Sequence, residues 1–297
     1  MNANRNEPMK FAIQRCCTTP ELLRQYETST DAVLKRLGVD CVDIKQFNCC
    51  GYPLKNIDYK AQVLCSTRNF ALAEREGTNI LTFCNCCFST LRRTNRHLKE
   101  NAPLMEEINR DLRAEGLEYR GGVEVRHLLQ VLYEDIGTEA IRDRKVKSLT
   151  GLKIATHYGC HILRPKDIMQ FDNPIAPTIF DELVELTGAE SIPWARKLDC
   201  CGSPMGGIDD ELSMDLAQRK ISDAREAGAD YLCTACPYCH LQFDRVQRIL
   251  VSKRNGVRPL PAILYTQLLG MCLGIDDQMV GLKGNEVDAM GVMNFLQ

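Results

Sequence analysis

Two copies of one cysteine pattern constrain this chain more than any other feature. The first copy runs Cys17, then Cys49-Cys50 followed by Gly51, then Cys84 and Cys87. The second runs Cys160, then Cys200-Cys201 followed by Gly202, then Cys236 and Cys239. In the first copy 31 residues separate the lone cysteine from the pair and 33 separate the pair from the Cys-x-x-Cys; in the second the gaps are 39 and 34. Ten of the sixteen cysteines thus fall into two five-thiol sets, and the groups of the second sit 143, 151 and 152 residues beyond their counterparts. Chance does not arrange cysteines this way. The spacing predicts an internal duplication in which each copy holds metal.

The bulk properties fit such a chain. Its 297 residues, 44% apolar and 26% charged, describe an ordinary globular protein able to bury a core. A formal net charge of −2 with both signs interspersed gives no case for nucleic-acid binding. The opening MNANRNEPMK lacks the apolar stretch of a signal peptide. The most apolar segment, 260–275, is interrupted by Thr266 and Gln267 and is too short to span a bilayer. Sixteen cysteines without a secretion signal imply a reducing, cytoplasmic compartment, where thiolates serve as ligands or redox groups rather than structural disulfides.

Each half reads as alternating strands and helices. Residues 10–14 form a short buried strand leading to Cys17. Pro20 opens a helix with apolar residues at Leu22, Leu23, Tyr26, Val33, Leu34 and Leu37, capped by Gly38. Residues 41–46 return as a strand that ends at the cysteine pair. A helix over 58–76 is closed by Gly77, and a strand over 79–83 precedes the helix that Cys84 and Cys87 begin. The second half repeats the plan: a strand at 153–156, a helix at 178–187, a short segment at 189–192, a helix at 209–227, and a strand at 230–234 that delivers Cys236 and Cys239 to a further helix. This alternation predicts an α/β fold of two similar domains, 1–147 and 148–297. Each is a small parallel sheet flanked by helices, with the cysteine loops at the strand C-terminal ends. Residues 103–137 read as two connecting helices, and 260–274 as a C-terminal helix packed back on the core.

Strand C-terminal ends converge on one edge of an open α/β sheet, so three loops can deliver five sulfurs to one place. Glycine after each pair permits the tight turn. A Cys-x-x-Cys at a helix start favours the thiolate through free N–H groups and the helix dipole. A mononuclear zinc or a regular cubane takes four thiolates, one fewer than each half offers. Adjacent cysteines point apart and suit different irons of an extended cluster, so the spacing favours iron–sulfur, with zinc at one or both centres as the alternative. Cys41, Cys65 and Cys272 read as buried small hydrophobes. Cys16, Cys86 and Cys233 lie beside ligands and leave the register open, Cys233-x-x-Cys236 being a second way to form the pair. His157, His161 and His240 flank the second set; His157 and His161 are the candidate proton donors to a departing thiolate. There is no Gly-x-Gly-x-x-Gly and no Walker loop, so electrons are expected from another protein.

Several segments resemble the CCG-domain family, and the B subunits of heterodisulfide reductases within it. They are CNCCF at 84–88, where that family commonly has Cys-Asn-Gly-Cys, VRHLLQVL at 125–132, HYGCH at 157–161, CCGSPMGG at 200–207, CPYCHLQFD at 236–244 and YTQLLGMCLG at 265–274. The resemblance implies two noncubane [4Fe–4S] clusters. Cys17, Cys49, Cys50, Cys84 and Cys87 would hold one, and Cys160, Cys200, Cys201, Cys236 and Cys239 the other. It implies a shared cavity in which the disulfide of coenzymes M and B is cleaved, one sulfur to each cluster. Electrons would come through a cubane-bearing C subunit from a flavin-containing A subunit, with hydrogenase or formate dehydrogenase modules further out. Two departures stand out: Cys49-Cys50-Gly51-Tyr52-Pro53, where methanogen proteins typically put proline directly after the pair, and QRCCTTP in place of the usual Gly-Cys entry. They make a bacterial relative that acts on another thiol or persulfide the alternative.

Overall fold

The structure, a computed structural model, describes residues 9–297. The expectation that no signal peptide is present falls mostly on residues outside that range. Two four-stranded, all-parallel sheets carry the fold. The first contains β1 (Met9–Gln14), β2 (Val39–Val42), β3 (Asn79–Thr82) and β4 (Val125–His127) in the order β2-β1-β3-β4. The second contains β5 (Lys153–His157), β6 (Glu190–Ser191), β7 (Tyr231–Thr234) and β8 (Ala262–Leu264) in the order β6-β5-β7-β8. Strand order and direction are identical in the two copies. Gln14 pairs with Thr82 as His157 pairs with Thr234.

Each half turns outward from its first strand to its second and then crosses back to its third. Right-handed crossovers therefore put the Arg24–Arg36 and Tyr59–Arg75 helices on opposite faces of the first sheet, and the C-terminal ends of β1 and β3 part at the switch point between them. Those are the two ends from which the first copy's outer cysteines emerge.

Three local expectations are corrected. The helix opened by Pro20 breaks at Leu23 (φ −144°, ψ 49°) into Thr19–Leu22 and Arg24–Arg36, because Leu23 turns inward and is buried. The second strand lies at 39–42 rather than 41–46: Val39 packs inward while 43–51 spans the distance to the switch point. Within 103–137 the second predicted helix is in fact β4, a short helical turn and a π-helix (Val131–Gly137). Three residues of strand followed at once by helical spacing look like one helix in sequence.

In the second half the segment 260–274 is likewise not one helix: β8 comes first, and the Tyr265–Cys272 helix that follows it is buried along its whole length. It packs on the Arg24–Arg36 helix of the other half, where Ser29 and Thr266 hydroxyls meet at 2.7 Å. Reciprocally, the turn after β4 packs on the Ile179–Glu185 helix of the second half. The halves therefore exchange the element that follows their fourth strand, and one core runs through both.

Candidate metal centre and adjoining cavity

The loops at the strand ends bring both cysteine sets to a single region, and glycines shape two of those loops. Gly51 (φ +87°) and Gly202 (φ +90°) follow the cysteine pairs in the left-handed region; a Cβ there would meet Gln62 O at 2.8 Å and Ser213 O at 2.5 Å. Only glycine lets each pair lie against its helix. Cys84 and Cys236 sit at the N-cap positions of the Asn85–Glu100 and Pro237–Leu241 helices, in extended conformation.

The thiols form one continuous array. Cys17 touches Cys49, Cys49 touches Cys50, and Cys50 touches Cys87, which meets Cys84 and Cys16. Cys84 then contacts Cys236 across the two halves, and Cys86 contacts both of them. From Cys236 the array continues through Cys239, Cys201 and Cys200 to Cys160. The sulfurs of Cys16, Cys84 and Cys87 lie within 4.8 Å of one another, as do those of Cys84, Cys86 and Cys236. Within the first set it is thus buried Cys16, not Cys17, whose sulfur closes on Cys84 and Cys87; Cys17 is exposed and reaches Cys49 and Tyr238. Cys233 is buried in β7, where burial alone acts on its thiol; Cys41, Cys65 and Cys272 stand outside the array, Cys272 buried as expected but Cys41 and Cys65 only half-buried.

Electrostatics within the array is uneven. Hydrogen bonds from Cys160 and Cys201 pull Cys200 down, and a bond from Cys49 does the same for Cys50. Against the burial that opposes it, bonds from Cys239, Cys84 and Cys86 hold Cys236 well below the ordinary thiol range. Burial and thiol contacts push their partners up. So dense a set of soft sulfur donors, most of them buried and largely without other partners, suits a thiophilic metal or iron–sulfur centre and exceeds what one tetrahedral ion can use.

A cavity of about 200 Å³ opens beside the array where the halves meet. All five thiols of the second set line it. From the first half come Cys86, Asn85, Tyr52 and Pro53, and Tyr238 and Pro204 complete the apolar wall. Asn85 fixes the junction by donating to Tyr158 O at 2.8 Å. Of the candidate proton donors, His161 lines the cavity, its Nδ1 3.5 Å from Cys86 Sγ and 3.8 Å from Cys160 Sγ. Burial lowers its pKa from the ordinary 6.5. His157 lies behind the second set, a ring nitrogen within 4.8 Å of Cys201 and Cys239 and its ring edge-on to Phe243, with neither nitrogen hydrogen-bonded. His240 is fully buried near Asp244, whose carboxylate accepts from the Glu286 and Val287 N–H groups; at 3.7 Å the two form no effective ion pair, and burial pushes His240 down to about 3. A larger polar cleft of about 440 Å³, lined by Arg92, Arg96, Lys99 and Asp167, contains no thiol.

Sequence reasoning gave no role to Tyr52, Tyr238, Asn85 or Lys220. The first three were legible as neighbours of ligands. Lys220 carried a sharper signal: it falls on the buried stripe Ser213, Ala217, Lys220, Ala224 of the Asp210–Glu226 helix, a charge on an apolar face.

A family model described as CCG, cysteine-rich domain, matches residues 6–92 and 154–244. The chain is 36% identical over 283 residues to the B subunit of the ferredoxin/F(420)H(2)-dependent CoB-CoM heterodisulfide reductase of Methanosarcina acetivorans, covering 94% of each. It is 31% identical over 281 residues to the 8-methylmenaquinol:fumarate reductase membrane anchor subunit of Wolinella succinogenes, covering 94% of this chain and 98% of that one. Among solved structures it superposes on a hypothetical protein from Helicobacter pylori with a TM-score of 0.75 at 14% identity, over 95% of this chain and 52% of that one. That likeness concerns the fold alone. No helix among the described residues is long and apolar enough to cross a membrane.

Proposed function

The chain belongs to the cysteine-rich CCG-domain family, and from that premise we propose that it is the catalytic subunit of a heterodisulfide reductase-type complex. It reduces a disulfide of the CoM-S-S-CoB kind to two thiols with electrons from partner subunits. The observation that carries this reading is the continuous thiol array with a cavity at the junction of the halves. Similarity to the Methanosarcina reductase protein over nearly the whole chain supports it further.

In this reading two noncubane [4Fe–4S] clusters are the resident cofactors. Cys49, Cys50, Cys84 and Cys87 with Cys17 or Cys16 hold the first, and Cys160, Cys200, Cys201, Cys236 and Cys239 hold the second. Clusters so bound supply electrons singly and offer iron sites with affinity for sulfur. The chain's own residues do the rest. Tyr52, Pro53, Pro204 and Tyr238 wall the cavity and exclude water from the reacting sulfurs. His161 takes up a proton from solvent on the cavity side and gives it to one departing thiolate, burial making its imidazolium the stronger acid; the second thiolate takes its proton from solvent. His157, buried behind the second set, packs against it and takes no proton step.

The partners are a cubane-bearing C subunit and a flavin-containing A subunit, with hydrogenase or formate dehydrogenase modules beyond, in the cytoplasm. The Wolinella relative motivates a second reading, in which a homologous protein serves another redox complex with a different thiol or persulfide. Turnover of the CoM–CoB heterodisulfide by the anaerobically purified complex separates the two. Two thiols released per two electrons supports the first; no turnover with iron at both centres supports the second.

A further inference from the structure

The duplication provides an internal control, because equivalent positions of the two halves can be compared directly. Gln14 ends β1 opposite Thr82, and His157 ends β5 opposite Thr234. Asn69 is the eleventh residue of the 17-residue Tyr59–Arg75 helix, and Lys220 the eleventh of the 17-residue Asp210–Glu226 helix. Each stands 19 residues beyond the second cysteine of its pair. Behind the first thiol set the two positions therefore carry Gln14 and Asn69, and behind the second they carry His157 and Lys220.

The pairs differ in charge and in how they are satisfied. Asn69 Nδ2 donates to Gln14 Oε1 and to Asn48 O, each at 2.8 Å, and Asn48 N donates back to Asn69 Oδ1 at 3.0 Å. The amide pair is neutral and closed on itself. Lys220 is 1% exposed; its Nζ donates to Arg196 O and lies 4.5 Å over the Trp194 ring. No carboxylate within salt-bridge reach neutralises it among the described residues. Asp199, at the position of Asn48, pairs with Arg196 at 3.0 Å on the surface, and its charge acts on Lys220 from beyond salt-bridge reach, together with the thiols Cys201, Cys239 and Cys200 of the second set. The cation of the first half that adjoins Cys16 in sequence, Arg15, is by contrast paired with Asp31 at 3.0 Å and with Asp43 at 3.8 Å. Burial pushes Lys220 down to about 8, which leaves it mostly protonated at neutral pH. Both Cys-x-x-Cys groups sit at helix starts, so the dipole contribution is common to the two halves.

Adding an electron to a thiolate-ligated centre adds negative charge in a poorly screened interior, and an unpaired cation behind it stabilises the reduced form. We propose that the Lys220 ammonium makes the second thiol set the more easily reduced of the two centres, so that the first electron delivered to the chain comes to rest beside the cavity. This rests on the iron–sulfur reading above. The second set is also the one that lines the cavity, so reducing power gathers where a substrate sulfur would arrive. Lys220 is a positioning residue in this scheme and touches no reacting atom.

The test is a mediated redox titration of the anaerobically purified, iron-loaded full chain. Dithionite supplies one electron per centre, and electron paramagnetic resonance follows the reduction. Two waves are expected. Cys50→Ala should retain the more positive wave and Cys201→Ala the more negative one. Lys220→Met should shift the more positive wave downward and leave the other in place, and Lys220→Arg should preserve it. Asn69→Lys is the converse variant and should raise the more negative wave. Superposed waves, the more positive wave missing from Cys50→Ala, or an unmoved wave in well-folded Lys220→Met would each overturn the proposal alone. Zinc in place of iron at both centres would overturn the iron–sulfur reading and the proposal with it.

Discussion

At the scale of single residues, the two centres depend on groups that have one conformation or one partner open to them. Gly202 is such a group: at φ +90°, with Ser213 O 2.5 Å from any added Cβ, it cannot become alanine without moving Cys200 and Cys201. Gly202→Ala should cost about 1–3 kcal/mol of stability and lower iron content by about half, read by metal analysis beside a urea melt. Retention of full iron would show that the pair tolerates displacement. The histidines make a paired prediction. His161→Asn should keep both centres and slow disulfide turnover by about 10²–10⁴, whereas His157→Asn should leave the rate nearly unchanged. The reverse result would move the proton to the buried side of the second set. The spacing placed Cys17 in the first set with Cys16 only beside it, and it could not exclude the neighbour because adjacent side chains at a strand end can each face the array. The structure turns Cys16 inward and leaves Cys17 exposed.

At the scale of elements, the exchange of post-strand helices between halves carries the architecture. Leu268, fully buried in the Tyr265–Cys272 helix, contributes to a core shared by both copies. Leu268→Ala should therefore destabilise the whole chain by about 2–5 kcal/mol in one unfolding transition. Two separate transitions would show the halves to be independent. Most long helices were legible because their apolar stripes repeat at helical spacing and glycines such as Gly77, Gly188 and Gly228 close them. The fourth strand of each sheet was not. Val125–His127 and Ala262–Leu264 are three residues long and run directly into helical turns, so neither alternation nor a turn signal marks them. The thiol sets were legible from spacing, whereas their contact across the halves at Cys84 and Cys236 follows from tertiary packing that no local pattern encodes.

At the scale of the whole molecule, burial of neutral histidine couples stability to pH. His127 is enclosed between Phe88 and Phe171, and burial pushes it from the ordinary 6.5 down to about 3. Its folded-state pKa is depressed, so the stability it contributes is complete above the unfolded value of about 6.5 and is lost as pH falls toward about 3. The slope from this one group is about 1.4 kcal/mol per pH unit. Urea melts between pH 6 and 4 should therefore be less steep in pH for His127→Gln than for the native chain; equal slopes would mean that this imidazole is protonated in the fold. The larger claim is that the two thiol sets form one redox unit built on iron and open to a substrate sulfur at the cavity. The decisive measurement is iron, acid-labile sulfide and zinc in the anaerobically purified chain, with paramagnetic resonance spectra before and after a thiol is added. Two iron–sulfur centres require about eight irons per chain and a new signal on thiol addition. About two zincs per chain, with no signal in either state, would contradict them.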